Sequence, residues 1–491
     1  MREIQPKAGK NVDILAAYAI IKSGRRASER TICGAGRTAV KIIIAGNGKV
    51  GIALTKQLSA EGYDLTLIDS NNDVLEASIE RYDVMAVYGN CASMAILKQA
   101  NVEEADLLIA ATSADEVNLL CCMTAHGLNP RLHTIARIRN PEYAEQAYKM
   151  RDIFALSLAV NPEQQAALEI ERLLKYPGFL KRDTFAKGRA EIVELMVDSK
   201  SKLRDVPLNR LDSIVKCKVL VCTVLRDGDA IAPDGNFVLR ENDRIFVTAP
   251  SNNLSMLLNN LGIINRKIRR VIICGGGRLG YYLATRLLSN GVAVQIIEQD
   301  YQRCVQLGGM LPGASIIHGD ASDPALLESE RLGGCDALIT MTGLDELNMI
   351  ISLYGRSMGV PHIVTKLGRI ENSNIINSLP LGSVVCPKEL CCYSIVRYVR
   401  ALQNQVGAAL TVHSIANGQV EAVEFRVDDK TLHCGEQLKH IRLRKNVLVV
   451  CMTKGSKIII PNGDSTFARG DTLVIVTSGD TIIHQLNEIF E

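Results

Sequence analysis

The sequence predicts an α/β protein in which two parallel-sheet domains alternate with two small α+β domains. One glycine fingerprint occurs twice, as GNGKVG from Gly46 and as GGGRLG from Gly275, each time at the end of an apolar run. After each fingerprint, apolar runs of strand length alternate with segments of helix length, which indicates βαβ units and a parallel sheet. A glycine fingerprint between a strand and a helix is typical of Rossmann-like domains.

The glycines of each fingerprint have separate tasks. The first permits a tight turn, the second lets a pyrophosphate approach the backbone, and the third lets the helix pack close to the strand. The N-terminus of the following helix adds unpaired N–H groups and the positive end of a dipole. We therefore expect two nucleotide-binding loops. The candidate contact residues are Gly46, Asn47, Gly48, Lys49, Val50 and Gly51 in the first copy and Gly275, Gly276, Gly277, Arg278, Leu279 and Gly280 in the second.

An acid ends the second strand of each copy, Asp69 in LTLID and Glu298 in VQIIE, 18 residues after the last glycine of its fingerprint. Such an acid accepts hydrogen bonds from ribose hydroxyls. At about 4 Å it would repel a 2′-phosphate by roughly 4 kcal/mol per charge at an effective dielectric of 20. We therefore expect NAD(H) rather than NADP(H) at both sites. ATP, ADP and AMP carry the same hydroxyls and remain open, as does a copy that kept the fold and lost its ligand.

The repeat extends beyond the glycines, since residues 87–120 match residues 316–350. Asn90 and Asp320 follow the third predicted strand, and Thr112 and Thr342 follow the fourth. Ligands of parallel sheets bind at the carboxyl ends of the strands. We expect the first two side chains to meet the adenosine and the two threonines to meet the rest of the ligand. The alternative is that all four are helix caps or turn residues.

Apolar runs predict the individual strands and the domain boundaries. In the parallel sheets we expect strands at 41–45, 64–69, 84–88, 106–111, 132–137 and about 153–160, and at 270–274, 292–298, 314–318, 336–341, 361–366 and 383–386. In the small domains we expect strands at 190–197, 218–226, 243–250, 419–427, 446–454 and 471–478. The predicted domains are an N-terminal extension (1–40), two Rossmann-like domains (41–160 and 268–387) and two small α+β domains (161–265 and 388–491).

Composition argues against several functions. The net charge is only +3, aromatic residues make up 4% and Trp is absent, so neither a basic field nor a base-stacking platform for nucleic acid is expected. The 14 cysteines are scattered without metal-ligand spacing, and we expect most of them to be buried and none to bind a metal. No apolar run is long enough to span a bilayer.

A dehydrogenase needs an acid, base or metal beside the nicotinamide. None of the eight histidines stands at a repeated position beside a suitable Asp, Ser or Cys. We therefore expect no catalytic residues and interpret the chain as a ligand-gated conformational device. An NAD-dependent oxidoreductase and a free-standing nucleotide-responsive scaffold remain the alternatives.

The pattern KIIIAGNGKVG, LTLID, VYGN and ADLLIAAT, followed by a small domain and then repeated, resembles the TrkA family over residues 41–491. These are the cytosolic NAD-binding components of bacterial Trk potassium uptake systems, with tandem RCK (regulator of potassium conductance) domains. The resemblance implies gating by NAD(H) and by ATP or ADP. It also implies a homo-oligomeric ring of two to four chains beneath a TrkH- or TrkG-like potassium-translocating subunit, on the cytoplasmic face of the membrane. The phosphate loops and the ribose acids Asp69 and Glu298 match the family's pattern.

Overall fold

The computed structural model describes residues 40–175, 179–199, 201–250, 253–261, 268–368, 379–402, 409–416, 419–455, 457–478, 483 and 485–491. By contact, the chain divides into two compact units. The first contains the described residues up to Arg137 together with Glu145–Ala159, and the second contains Ile138–Ala144 and the described residues from Val160 to Glu491. The extension predicted for 1–40 lies outside the described residues except for Val40.

A parallel sheet forms the core of the first unit. Its strands are apolar because helices cover both faces, and Ile42, Ile43 and Ile44 of the first strand are at most 2% exposed. The strands are β1 (Lys41–Ala45), β2 (Asp64–Asp69), β3 (Met85–Tyr88), β4 (Leu107–Ala110), β5 (His133–Arg137) and β6 (Leu158–Val160), in the spatial order β3-β2-β1-β4-β5-β6. From β1 the chain adds β2 and β3 on one side and then crosses to add β4, β5 and β6 on the other side. The boundary between β1 and β4 is therefore a switch point, and it lies beside the first glycine loop.

Helices connect these strands. They are α1 (Lys49–Ala60), α2 (Asn72–Arg81), α3 (Met94–Gln99), α4 (Asp115–Leu128) and α5 (Pro141–Lys149). Asn71 caps α2, because its side chain accepts from the amide of Asp73 at 3.0 Å. The strand predicted at about 153–160 is shorter than expected, since residues 151–155 form turns and β6 begins only at Leu158.

An antiparallel sheet follows in the second unit. Its elements are α6 (Pro162–Lys175), β7 (Lys181–Phe185), β8 (Ala190–Met196), α7 (Leu211–Val215), β9 (Leu220–Arg226), β10 (Asp229–Ile231), β11 (Arg244–Pro250) and α8 (Leu254–Leu261), with strand order β10-β9-β11-β8-β7. The strands predicted at 190–197, 218–226 and 243–250 correspond to β8, β9 and β11. Two strands, β7 and the short β10, are additions that the sequence pattern did not predict.

The second parallel sheet repeats the first. Its strands are β12 (Arg270–Cys274), β13 (Ala293–Glu298), β14 (Ser315–His318), β15 (Ala337–Thr340), β16 (His362–Lys366) and β17 (Ser383–Val385), in the order β14-β13-β12-β15-β16-β17. Its helices are α9 (Arg278–Ser289), α10 (Tyr301–Met310), α11 (Pro324–Ser329) and α12 (Asp345–Ser357).

A second antiparallel sheet completes the chain. Its elements are α13 (Pro387–Leu402), β18 (Ala409–Ile415), β19 (Val420–Arg426), β20 (Val447–Lys454), β21 (Lys457–Ile459) and β22 (Thr472–Ser478), in the order β18-β19-β22-β20-β21. Its arrangement matches that of the first antiparallel sheet, and β18 and β21 again escaped the sequence-based prediction. The predicted fold class, two Rossmann-like sheets each followed by a small α+β domain, is confirmed.

Helix α6 belongs to the core of the second parallel-sheet domain. Its apolar residues Ala166, Ile170 and Leu173 share a buried cluster with Leu283 and Leu287 of α9. On the rim of this contact Asn290 donates to Glu171 Oε1 at 2.7 Å, and Arg286 forms an ion pair with the same carboxylate. Helix α9 starts at the second glycine loop. Helix α6 therefore packs against the helix that follows that loop.

The two antiparallel sheets share one buried core. Side chains from both sheets line it, namely Phe185, Ile192, Cys222, Leu225 and Phe246 from the first and Ile415, Val420, Ala422, Val450 and Val474 from the second. Equivalent residues of the two repeats make matching contacts. Arg189 donates to the carbonyl of Gly455 at 3.3 Å, and Gln419, 230 positions later, donates to the carbonyl of Gly228.

Asp183 and His413 are also repeat equivalents, 230 positions apart, and they contact each other. Asp183 Oδ1 lies 3.0 Å from His413 Nδ1, and Asp183 Oδ2 lies 3.5 Å from Lys181 Nζ. Burial acts to raise the pKa of Asp183, but Lys181 and His413 outweigh it and hold that pKa below its ordinary value. The carboxylate is therefore stabilised in its charged form inside this interface.

Within the described residues, no helix is both long enough and apolar enough to cross a membrane. Two pairs of adjacent cysteines lie in helices, Cys121 and Cys122 in α4 and Cys391 and Cys392 in α13, and all four are buried, as predicted for most cysteines. Burial raises the pKa of the Cys122 thiol to about 12, so this side chain is held as the neutral thiol.

Candidate functional site

The first glycine loop follows β1 and has the geometry of a phosphate-binding turn. Gly46 has a φ of +95°, and a Cβ at this position would lie 2.7 Å from the amide nitrogen of Thr112. A Cβ on Gly51 would overlap the carbonyl oxygen of Gly46, so α1 can start this close to β1 only with glycine. By contrast, a Cβ on Gly48 would meet no atom within 4 Å. The middle glycine thus faces open space, where a phosphate could approach the backbone.

The second loop has the same three features. Gly275 has a φ of +112°, and its Cβ would lie 2.8 Å from the carbonyl oxygen of Met341. A Cβ on Gly280 would overlap the carbonyl oxygen of Gly275, whereas a Cβ on Gly277 would meet no atom within 4 Å. The two copies therefore use their first and third glycines for the fold and leave the second one open.

Both loops lead into helices whose first turns lack a side-chain cap. Gly48 is the N-cap residue of α1 and Gly277 that of α9, and a glycine has no side chain with which to cap its helix. The first N–H groups of a helix need partners, and an anion can supply them. Lys49 and Arg278, the first helical residues, are exposed and add positive charge beside each loop. These features fit the pyrophosphate of a nucleotide.

The predicted ribose acids lie beside the loops and hold them in place. Asp69 Oδ2 accepts from the amide of Asn47 at 2.6 Å, and Oδ1 accepts from the amide of Asn71 at 2.9 Å. Glu298 does the same for Gly276 at 2.6 Å and Asp300 at 3.0 Å. A carboxylate can accept about four hydrogen bonds, so each acid retains capacity for ribose hydroxyls.

Asn90 and Asp320 act as turn residues after the third strand of each sheet. Asn90 Oδ1 accepts from the amide of Ala92 at 3.0 Å, and Asp320 Oδ1 accepts from the amide of Ser322 at 2.8 Å. Hydrogen bonds from the backbone and side chain of Ser322 hold the pKa of Asp320 below its usual value. Both positions lie at the carboxyl edge of their sheet, and contact with adenosine remains a prediction.

Thr112 and Thr342 likewise form turns, after β4 and β15. The Thr112 amide and hydroxyl both donate to Asn118 Oδ1, at 2.8 and 2.7 Å, and Thr342 donates in the same way to Asn348, at 2.8 Å for both bonds. The hydroxyls are therefore engaged with buried asparagines. Because the Thr112 backbone abuts Gly46, this turn forms a wall of the crevice, and direct contact of either threonine with ligand remains a prediction.

A basic residue at the end of the fifth strand was missed by the sequence analysis. Arg137 Nη2 donates to the carbonyl oxygen of Thr112 at 2.6 Å, and Lys366 Nζ donates to that of Thr342 at 2.7 Å. The two residues are 229 positions apart, the same spacing that separates the glycine loops. A repeat-to-repeat comparison restricted to charged strand ends would have found them. Each places positive charge at the switch point of its sheet.

No group of three or more His, Cys, Asp or Glu side chains suited to a metal ion occurs in the described part of the chain. Each crevice contains the backbone amides of its glycine loop, one acid (Asp69 or Glu298) and basic residues at the loop and at the end of the fifth strand. Such a set can bind a nucleotide through its phosphates and its ribose.

Comparison with known proteins identifies the family. The TrkA-N domain model matches residues 42–158 and 271–387, and the TrkA-C domain model matches residues 192–262 and 422–490. A Trk system potassium uptake protein TrkA homolog from Archaeoglobus fulgidus is 30% identical over 452 residues, which is 92% of this chain and 100% of the relative. The chain belongs to the TrkA family. The Trk system potassium uptake protein TrkA of Haemophilus influenzae is 28% identical over 461 residues, 92% of this chain and 99% of the relative.

Solved structures give the same fold for this TrkA family member. The crystal structure of the GsuK RCK domain aligns with a TM-score of 0.58 at 17% identity and covers 92% of this chain and 97% of that one. A structure of the GsuK channel bound to NAD aligns with a TM-score of 0.58 at 18% identity and covers 95% of this chain and 83% of that one. The resemblance to the TrkA family is confirmed, and the fold is that of the GsuK RCK domain.

Proposed function

We propose that this chain is a nucleotide-responsive regulatory subunit that controls a membrane potassium uptake channel or transporter. The observation that carries the proposal is the pair of phosphate loops, each with an open middle glycine and a helix whose N-cap residue has no side chain. Both features suit a nucleotide pyrophosphate. The role in potassium uptake is supported by family membership, since the relatives from Archaeoglobus fulgidus and Haemophilus influenzae are Trk system potassium uptake proteins.

The ligands in this proposal are NAD(H) and, as competitors for the same crevices, ATP or ADP. Gly48 and Gly277 would lie against the pyrophosphate, and Asp69 and Glu298 would accept from the ribose hydroxyls. All of these ligands share the adenosine diphosphate portion that such residues recognise. The GsuK channel, which shares the fold, has been solved with NAD bound.

A switching role is favoured over catalysis by what surrounds each crevice. The threonine hydroxyls at its wall donate to Asn118 and Asn348, and the strand-end cations donate to backbone carbonyls. A general acid or base must instead reach the reacting group of a substrate. The polar groups described at the switch points serve the shape of the crevice, which suits a protein that responds to its ligand without converting it.

We propose further that the chain forms a homo-oligomeric ring of two to four chains and contacts a TrkH- or TrkG-like subunit at the cytoplasmic face of the membrane. A regulator can shift a channel only if its ligand binds two conformations unequally. A tenfold preference corresponds to about 1.4 kcal/mol per site. Several coupled crevices per ring would then supply the several kcal/mol that opening or closing requires.

The test is potassium flux through the reconstituted complex of this chain and its membrane partner. We expect NADH and ATP, added in turn, to change the flux by different amounts without being consumed. Variants Gly48→Leu and Gly277→Leu should reduce that response because each fills one phosphate approach. A purified chain that binds no nucleotide, or that turns NADH over with a small substrate at a useful rate, would contradict the proposal.

A further inference from the structure

The two phosphate loops are supported differently from behind. In the first copy Asn47 is fully buried, and its Nδ2 donates to the Ser78 hydroxyl at 2.7 Å and to the carbonyl oxygen of Val74 at 3.2 Å. A neutral amide therefore ties the loop to α2.

In the second copy the residue equivalent to Asn47 is Gly276, and the tie runs in the opposite direction. Arg303, in the first turn of α10, donates through Nε to the carbonyl oxygen of Gly276 at 2.8 Å. A Cβ at position 276 would meet the side chains of Leu307 and Glu298, so glycine is needed for this packing. The residue equivalent to Arg303, 229 positions earlier, is Val74. A cation thus supports the second loop where uncharged groups, the Ser78 hydroxyl and the Val74 carbonyl, bind the Asn47 amide in the first.

The charge of Arg303 is not neutralised by an ion pair within the described part of the chain. Besides the Gly276 carbonyl, its guanidinium donates only to the side-chain oxygen of Gln306, at 3.1 Å. Two acids stand beside it: Asp300 accepts from the backbone amide of Arg303 at 3.3 Å, and Glu298 accepts from the amide of the same Gly276 at 2.6 Å. The ribose acid and the cation therefore hold opposite ends of one residue.

The position of Arg303 beside Glu298 changes which ribose substituents the second crevice should reject. An acid alone beside the ribose repels a 2′-phosphate, whereas a nearby arginine accommodates one. We infer that the second crevice tolerates a phosphate on the adenosine ribose, as in NADP(H), and that the first does not, with Arg303 as the residue that sets the difference. The inference rests on the proposed nucleotide binding. It limits the rejection of NADP(H), which the sequence predicted for both crevices, to the first crevice.

The test measures each crevice separately in the full chain. Gly277→Leu leaves the first crevice available and Gly48→Leu leaves the second, and NADH and NADPH are titrated into each by calorimetry. We expect the ratio of the NADPH to the NADH dissociation constant to be about tenfold smaller in the Gly48→Leu protein, which reports the second crevice, than in the Gly277→Leu protein, which reports the first. Adding Arg303→Gln, which keeps a donor for the Gly276 carbonyl but removes the charge, should raise that ratio by about tenfold, equivalent to about 1.4 kcal/mol. Arg303→Lys, which keeps the positive charge, should leave the ratio of the Gly48→Leu protein unchanged.

The reciprocal substitution gives a matched control. Val74→Arg in the Gly277→Leu protein should lower the NADPH to NADH ratio of the first crevice, and raising the salt concentration should weaken the effect because it is electrostatic. Equal ratios in the two crevices, or a ratio that Arg303→Gln leaves unchanged while NADH still binds, would overturn this inference and leave the proposed function intact. Absence of binding by NADH and ATP alike would overturn both.

Discussion

The middle and last glycines of the first loop allow a sharp separation of ligand binding from folding. Gly48→Leu adds a side chain where the structure has no atom within 4 Å of a Cβ, so the fold should accept it. Gly51→Ala places a methyl group onto the carbonyl oxygen of Gly46, so the strand and helix must move apart. The first change should abolish binding in a stable protein, and the second should destabilise the protein without any ligand present.

The expected magnitudes follow from mass action and packing. A ligand at one hundred times its dissociation constant stabilises the folded state by about 2.7 kcal/mol. At roughly 2–4 °C per kcal/mol for a domain of 150–250 residues, one occupied crevice should raise Tm by about 5–10 °C. Overpacking typically costs about 1–3 kcal/mol, so Gly51→Ala should lower the Tm of the ligand-free protein by several degrees.

The assay is thermal unfolding with and without saturating NADH, in the Gly277→Leu background so that only the first crevice responds. Gly48→Leu should leave the ligand-free Tm within about a degree of its background and remove the NADH-dependent rise. A double variant that keeps the full rise would show that the open side of Gly48 is not the phosphate path. Equal losses of ligand-free Tm for Gly48→Leu and Gly51→Ala would show that both glycines serve the fold.

Three further predictions concern acids and cations. Asp69→Ala should weaken NADH binding at the first crevice by about 1.5–3 kcal/mol and relax its rejection of NADPH, measured by titration, and unchanged discrimination would place Asp69 away from the ribose. Arg137→Met should weaken nucleotide binding at the first crevice and Lys366→Met at the second, with calorimetry of the two variants serving as mutual controls. Because the pKa of Asp183 is lowered in the folded state, the unfolded chain binds more protons in acid, and the stabilisation, present above pH of about 4, should be lost as pH falls. In urea unfolding, the Asp183→Asn protein should lose less free energy of unfolding between pH 5 and pH 3 than the unsubstituted protein does. Equal losses in the two proteins would show that Asp183 does not supply this stabilisation.

The parallel sheets could be predicted from the sequence because helices cover both of their faces. Strands such as Lys41–Ala45 and Arg270–Cys274 are then almost continuously apolar, and the glycine loops mark where they end. The same pattern predicted that Asp69 and Glu298 stand at the carboxyl edge of their sheets, and β2 and β13 end at these residues; their contact with ribose remains a prediction. These parts of the fold depend on local pattern and were found correctly.

Strand β7 escaped prediction because its stability comes from residues far away in the sequence. Its run KRDTF is mostly polar, yet Asp183 and Phe185 are buried. Arg182 forms a buried ion pair with Glu191 of β8, and Asp183 contacts His413 of the other repeat. A strand whose charges are neutralised by long-range partners has no local signature.

The glycine loops of the candidate site could be predicted from the sequence, but the hydrogen bonds that support them could not, for a similar reason. The glycine spacing indicated the loops, but the hydrogen bonds from Asn47 and Gly276 to the acids, and those of Arg137 and Lys366 to the crevice wall, depend on the order of the strands. Isolated basic residues at strand ends are usually solvated, so nothing local distinguished these two. Contrasts between the repeats, such as Val74 against Arg303, became meaningful only once both were seen beneath the loops.

The contact between Asp183 and His413 has a consequence for how a duplicated gene can evolve. Two identical subunits related by a twofold axis must bring the same residue type to equivalent positions, so an acid on the axis faces another acid. Fusion of the two copies into one polypeptide removes that restriction. Here one copy retains a carboxylate and the other supplies an imidazole 3.0 Å away. A covalent pair can thus acquire complementary partners at its own centre, which an exact twofold axis denies to two separate identical chains.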